Sequence, residues 1–427
     1  MKKVEYKICF YCLILFSFSC NNNDTSKTTS IDTTSSNDTS KTTSALANNS
    51  PMKGSYAYDA EFLKKYTKNA IELQDEKGNA KVLLSADYQG RVMTTTATGD
   101  TGSAFGWLNY DLIASGEKKK QFNPVGGEER FWIGPEGGQY SIYFKPRDSF
   151  SIKNWQVPPV IDTATYEVVK ADKSQVIFSK KATLKNYSGT VFNIQIERKI
   201  SLLSNAQLAA KLNVSIPDSI QFVGFETENR IRNIGTNNWT KEKGFLSIWL
   251  LGMFTPTPQT VVIIPFHPRS DASSFITNNY FGEIPASRLT ISDSVLFFVC
   301  DGKFRSKIGL SPVIAKPVAG SFDFQKNILT IIIPEIKKDA AYVNSKWEIQ
   351  KEPFTGDVIN SYNDGPLADG SQLGFFYEIE SSSPALELKK GETGEYRETT
   401  CHFQGDYQAL RQLALQLLGL DLDKSKR

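Results

Sequence analysis

Apolar residues along most of this chain recur with the period of a strand. In TVFNIQIERKI the side chains of Phe192, Ile194, Ile196, Arg198 and Ile200 fall on one face, four of the five apolar, the alternation of a half-buried strand. The segments KVLLSADYQGRVMTTTA, SQVIFSKKATL, FLSIWLLGMF, TVVIIPF, SVLFFVC and ILTIIIP continue the β pattern. VVIIPF and LTIIIP are apolar throughout and read as strands covered on both faces. Helical spacing occurs at the two ends. Phe62, Leu63 and Tyr66 share a helical face after Asp59, which is placed to cap it. Leu410, Leu413, Ala414, Leu417 and Leu418 form an i, i+3, i+4, i+7, i+8 stripe that stops at Gly419. This pattern predicts an all-β fold, a large antiparallel β-sandwich with a short N-terminal helix and a C-terminal amphipathic helix. No repeat of fixed period is present, which argues against a propeller or solenoid. No linker divides residues 53–427, so a single domain is expected there.

The first 52 residues have a different character. Residues 1–20, MKKVEYKICFYCLILFSFSC, begin with lysines, continue through a short apolar run and end in small residues before Cys20. This is the layout of a secretory signal, too short for a stable membrane span. The ending FSFSC resembles a bacterial lipobox, with Phe18 and the missing leucine as departures, and makes Cys20 the expected lipidation site. Cleavage near Cys20 without lipid is the alternative. Residues 21–52 are nearly all Asn, Asp, Thr, Ser and Lys and cannot bury enough apolar area to offset their ordering entropy, so a disordered tether is expected. The pair predicts an exported protein of the bacterial cell envelope, held to the outer membrane or the periplasmic face by a lipid anchor alone.

Charge narrows the partners. A formal net charge of +3, from 49 basic and 46 acidic residues, gives no electrostatic reason to expect nucleic acid. Within the folded part only Cys300 and Cys401 remain; they form either one disulfide or two separate buried thiols. Without CxxC or clustered Cys/His spacing no metal site is expected, and no organic cofactor is implied.

Three segments combine aromatic, acidic and amide side chains as a sugar site requires, since hydroxyls need fixed donors and acceptors and ring faces prefer flat apolar surfaces. The first is GGEERFWIGPEGGQYSIYF, read as part of a long Gly-rich functional loop, with Trp132, Glu136 and Gln139 around a Pro-Glu-Gly-Gly turn. The second is GFETENRIRN, where Glu226, Glu228 and Arg230 alternate on one strand face and form either a binding surface or a surface ion-pair ladder. His267 follows in a loop constrained by Pro265 and Pro268. The third covers residues 362–405. Asn363 and Asp364 stand in its YNDGP loop, and in FFYEIES the carboxylates of Glu378 and Glu380 share one face with Phe376. Two carboxylates at i and i+2 perturb one another, so that one can keep its proton near neutrality, unless both face solvent. Thr400, His402 and Gln404 share a face of the last strand, from which His402 reaches the glutamates if the two strands pair.

The run LELKKGETGEYRETTCHF resembles the closing strand of the galactose mutarotase-like family of β-supersandwiches, where a Gly-containing turn leads into a terminal Tyr-x-x-Thr-x-x-Phe strand. That resemblance implies a catalytic glutamate on the preceding strand, at Glu378 or Glu380. FWIGPEGGQYSIYF, GFLSIWLLGMF and YNDGP…LGFFYEIESSSPA are together similar to an uncharacterised family of secreted Bacteroidetes-type lipoproteins, a domain of unknown function grouped with that fold, over residues of about 60–420. Mutarotases also use two central histidines, whereas the body here has only His267 and His402, neither in a mutarotase motif. Only the glutamate carries over.

The reading is a carbohydrate-binding β-supersandwich that acts on a sugar by carboxylate acid/base chemistry. Glu380 or Glu378 is then the base, His402 or Glu136 the partner acid, and Trp132, Gln139, Arg230, Asn363 and Asp364 are ligand contacts. The alternative is a non-catalytic glycan- or protein-binding module of the envelope.

Overall fold

The computed structural model describes residues 51–426; the signal segment, Cys20 and nearly all of the tether lie outside them. Three antiparallel sheets make up the fold. The large sheet has ten strands in the spatial order Leu289–Ile291, Val295–Val299, Thr260–Pro265, Ala319–Asp323, Ile328–Pro334, Thr393–Gly405, Ile220–Asn233, Val191–Leu202, Gln175–Lys185 and Glu167–Ala171. The small sheet has six: Ile276–Thr277, Ser306–Leu310, Ile359–Asn363, Tyr377–Ser382, Ser247–Phe254 and Arg130–Gly134. Ala70–Gln74, Lys81–Ser85 and Arg91–Thr96 form a third sheet. Every strand segment expected from the apolar pattern is present.

Alternation decides which faces meet. Phe192, Ile194, Ile196 and Ile200 are fully buried, each stabilising by about 1.5–3 kcal/mol through the apolar surface removed from water. On the small sheet Phe131, Ile133, Leu250, Phe254, Ile359 and Ile379 are buried on the face turned to the large sheet. Cross-sheet hydrogen bonds fix the contact: Tyr377 and Ser321 hydroxyls meet at 2.7 Å, and Ser381 Oγ donates to Glu398 at 2.5 Å. The far side of the large sheet is covered by the C-terminal helix, Tyr407–Leu418, whose Leu410, Leu413, Ala414 and Leu418 are buried as the stripe predicts. Gly419 ends this helix in a left-handed conformation, φ 72°.

Three local expectations change. The first helix is Tyr56–Tyr66 and Ser55 caps it; Asp59 lies inside it, buried, and accepts a 2.5 Å hydrogen bond from Tyr110. Two further helices appear, Tyr110–Ser115 and Asn205–Leu212. The second carries a complete capping box in which Ser204 and Gln207 satisfy each other's backbone N–H groups. Third, the Gly-rich segment read as a functional loop supplies the edge strand Arg130–Gly134 and the buried pair Glu128 and Glu129.

Cys300 and Cys401 are free and buried. Cys300 belongs to the core between the sheets and Cys401 to the core under the C-terminal helix, so the two thiols stay separate.

Arg198 is the polar member of its inward face and is fully buried. It pairs with Glu129, and its Nε donates to Asn229 at 2.9 Å, while Thr227 Oγ1 donates to Glu129 at 2.9 Å. Removing one member leaves a buried charge without its counterion. Arg198→Met should therefore lower stability in urea by about 3–5 kcal/mol, and Arg198→Met with Glu129→Gln should recover much of the loss; equal stability of the single and double variants would contradict this role.

Candidate active site

Strand Tyr377–Ser382 pairs with Ile359–Asn363 on one side and Ser247–Phe254 on the other. This register sets Glu378 beside Tyr362 and Met253, and Glu380 beside Asn360 and Leu251. One strand further out, Tyr362 is paired with Lys307, Leu251 with Arg130 and Trp249 with Trp132. Directly paired residues project to the same face. The side of the small sheet turned away from the large sheet thus gathers Arg130, Trp132, Trp249, Lys307, Tyr362, Glu378 and Glu380.

Their contacts form two linked ion pairs. Arg130 donates to Glu378 Oε1, Lys307 Nζ donates to Glu380 Oε2 at 2.9 Å, and Trp249 Nε1 donates to the same oxygen at 3.0 Å. The Lys307 ammonium stands 5.0 Å from the centre of the Trp249 ring and the Arg130 guanidinium 5.0 Å from that of Trp132, positions in which the ring quadrupole attracts the cation. Glu380 is fully buried and Glu378 nearly so, while Lys307 and Glu136 are part-exposed. Glu136 reaches this group from the turn after Gly134, its backbone N–H held by Ser345 Oγ at 3.1 Å.

The electrostatics separate the acids. Burial pushes the Glu378 carboxyl up to about 7, with Arg130 opposing and Glu380 adding to the rise. Burial also raises Glu136, against the pull of Lys307 and with a further push from Glu380. Burial acts against the Lys307 ammonium, but Glu380 and Glu136 outweigh it and leave the group above the ordinary lysine value. The set holds a carboxyl group available for proton donation near neutrality beside Glu380, which accepts from a lysine and an indole.

Aromatic side chains wall the group. Trp132 meets Trp249 edge-on at 5.4 Å and lies 6.5 Å from Trp155, which stacks on Trp347 at 6.0 Å. Among buried polar atoms without a hydrogen-bond partner, Arg130 Nε, Trp132 Nε1, Ser247 Oγ and Glu380 Oε1 all belong to this face. Two clefts of about 480 and 770 Å³ lie elsewhere, around Asn193 and Trp239 and around Tyr166 and Lys180. Neither contains any residue of this group, and Glu167 is the only carboxylate lining them.

Of the residues singled out from the sequence, Glu378, Glu380, Glu136 and Trp132 come together. His402 stands on the other side of the small sheet, in the inter-sheet core. Its Nδ1 bonds Thr330 Oγ1 at 2.9 Å, its Nε2 bonds Glu128 at 3.1 Å, and Phe105 stacks on it at 4.5 Å. The alternation that turns Glu378 outward turns His402 inward from the facing sheet, so strand pairing with the glutamates does not occur. Arg230 lies on the outer face of the large sheet in an ion-pair ladder with Glu197, Glu228 and Glu395. Gln139 clamps the backbone of Gln350 with two 2.9 Å bonds. Asn363 is buried and ties Gly302 to Phe304. Asp364 accepts from Tyr362 Oη at 2.6 Å and so supports the site from behind. Arg130, Trp249 and Lys307 carry no local signal that marked them. His267 is exposed.

In the window between the ordinary glutamate value and about 7, the folded protein holds the Glu378 proton that the unfolded chain has released, so stability falls as pH rises. Asp59 and Glu129, also raised to about 7 by burial, act in the same direction. Glu378→Gln should lower stability overall by breaking the Arg130 pair and should make the decline between about pH 4.5 and 7 shallower; urea titrations with parallel pH profiles for both proteins would refute the assignment.

Comparison with solved structures finds several of similar arrangement. A protein from Escherichia coli K12 described as a "putative aldose 1-epimerase" matches with a TM-score of 0.49 at 10% identity, covering 79% of this chain and 99% of its own. A galactose mutarotase-like protein from Lactobacillus casei matches with a TM-score of 0.45 at 9% identity, covering 78% of this chain and 100% of its own. A galactose mutarotase related enzyme from Lactobacillus acidophilus matches with a TM-score of 0.43 at 10% identity, covering 78% and 97%. No curated protein matches the sequence. Residues 54–427 match the sequence model of a family of unknown function (DUF6786), and the chain belongs to that family.

Proposed function

We propose that the outward face of the small sheet binds a carbohydrate and moves a proton on it. The observation that supports this most is the convergence of Glu136, Glu378 and Glu380 with Lys307 beside an indole wall. Indole faces receive the apolar face of a pyranose, and a polyhydroxyl ligand supplies partners for polar atoms that the protein leaves unmatched. Glu380, which accepts hydrogen bonds from Lys307 and Trp249, is the base. Glu378 or Glu136, each pushed upward by burial, is the acid. This chemistry suits exchange at an anomeric or epimerisable carbon, in which one group removes a proton and another returns it.

Four of the chain's six tryptophans line the site, so sugar binding should change intrinsic fluorescence. In a panel of neutral and acidic hexoses, at least one should do so, and Glu378→Gln with Glu380→Gln should abolish accelerated anomer exchange while the protein remains folded by circular dichroism. Undiminished exchange in the folded double variant would exclude the two carboxylates as the catalytic pair. Binding without any exchange in the wild type would favour a glycan-binding module.

We further propose that the domain is exported and tethered to an envelope membrane through a lipid on Cys20. Metabolic labelling with palmitate should mark the wild-type chain and not Cys20→Ser; equal labelling of both would remove the anchor.

A further inference from the structure

Arg91 and Arg130 form a pair of buried guanidinium groups of which the chemistry above uses only one. An antiparallel bridge between Val92 and Glu129 sets the two arginines on facing chain segments. The Arg91 side chain lies along Gly126 and Gly127: Nη1 donates to the Gly126 carbonyl at 2.7 Å, and a Cβ on Gly127 would stand 2.6 Å from Arg91 Cδ. Gly127 also has φ +113°, so glycine is required there twice over. Arg91 is 2% exposed and Arg130 3%. Arg130 has Glu378 as its partner. Arg91 has no carboxylate partner among the described residues; Nη2 donates to the Gln89 amide oxygen at 2.9 Å. Asp162 acts on both arginines from further off, with its oxygens already bonded to the Asn123 side chain and backbone at 2.7 and 3.3 Å. The Nε atoms of both Arg91 and Arg130 are buried with no acceptor. Burial and the like charge of Arg130 push Arg91 down to about 9.

Two adjacent buried cations, each with an unused donor, are costly unless an anion shares them. We propose that the ligand of this site is an acidic sugar, a uronate or sulfated hexose, whose charged oxygens accept from Arg91 and Arg130 while Trp132 lies against the ring. This identification rests on the reading of the Glu378 and Glu380 face as a sugar site. Because both Nε atoms are out of reach of solvent, the anion enters only as the covering side chains shift, and the neighbouring indoles report that shift.

The test is tryptophan fluorescence of the purified full-length chain, titrated with galactose and glucose, their uronates and their 6-sulfates. An acidic member should bind at least about tenfold more tightly than its neutral parent, as expected for charge-assisted hydrogen bonds to a desolvated guanidinium. Whether the uronate or the sulfate gains identifies the acidic group. Arg91→Gln should remove that preference while retaining binding of the neutral sugar. The salt dependence of the wild type tests the same point without a variant: affinity for the acidic sugar falls with added salt more steeply than affinity for the neutral one. Equal binding of neutral and acidic sugars overturns the acidic-ligand assignment and leaves the sugar site standing. Full preference in a folded Arg91→Gln protein overturns the role of Arg91. No binding of any of these sugars overturns both.

Discussion

Three consecutive charged residues, Glu128, Glu129 and Arg130, are buried at the meeting point of all three sheets. Each is neutralised or hydrogen-bonded in a different direction. Glu128 accepts from the Thr95 hydroxyl of the third sheet at 2.8 Å and bonds His402 of the large sheet. Glu129 takes Arg198 of the large sheet, and Arg130 takes Glu378 of the small one. A buried charge without its partner costs several kcal/mol, so these contacts hold the layers in one relative placement that apolar packing alone would leave less specific. They also place the candidate chemistry, because the residue that completes the last contact, Glu378, is one of its glutamates.

Strand alternation then divides the labour of the small sheet. Its inner side is committed to the inter-sheet core, and its outer side collects carboxylates, cations and indoles that the core would exclude. Loops close over that side and supply Trp155, Trp347 and Glu136. Rigid strands thus set the spacing of the groups that would exchange a proton, and loops supply the surface against which a ring would lie, an arrangement that suits a site needing precise carboxylates and an adaptable wall.

What could be read from the sequence is what depends on near neighbours. The period of two in Phe192 to Ile200 and the placement of Glu378 and Glu380 on one face are local properties, and both hold. The capping box at Ser204 and Gln207 is equally local and marks a helix by its spacing alone. The cations were hidden because nothing near Lys307 or Arg130 announces which strand lies beside it; the pairing that unites them with the glutamates joins segments separated by as many as 248 positions. His402 shows the converse. Its face on its own strand follows from alternation, but that face belongs to the opposite sheet, a fact fixed by the order of strands and invisible in the chain itself.

The central position of strand Tyr377–Ser382 has a consequence for how this family can vary in length. The segment before it, residues 364–376, is irregular and partly exposed, so extra residues there lengthen a loop. A single residue gained or lost inside the strand would instead invert every position that follows it, turning a carboxylate beyond the change toward the apolar core. Length change should therefore accumulate in the loop before Tyr377 and be absent from the six strand positions, where a gap would take the carboxylates out of register with Lys307 and Arg130.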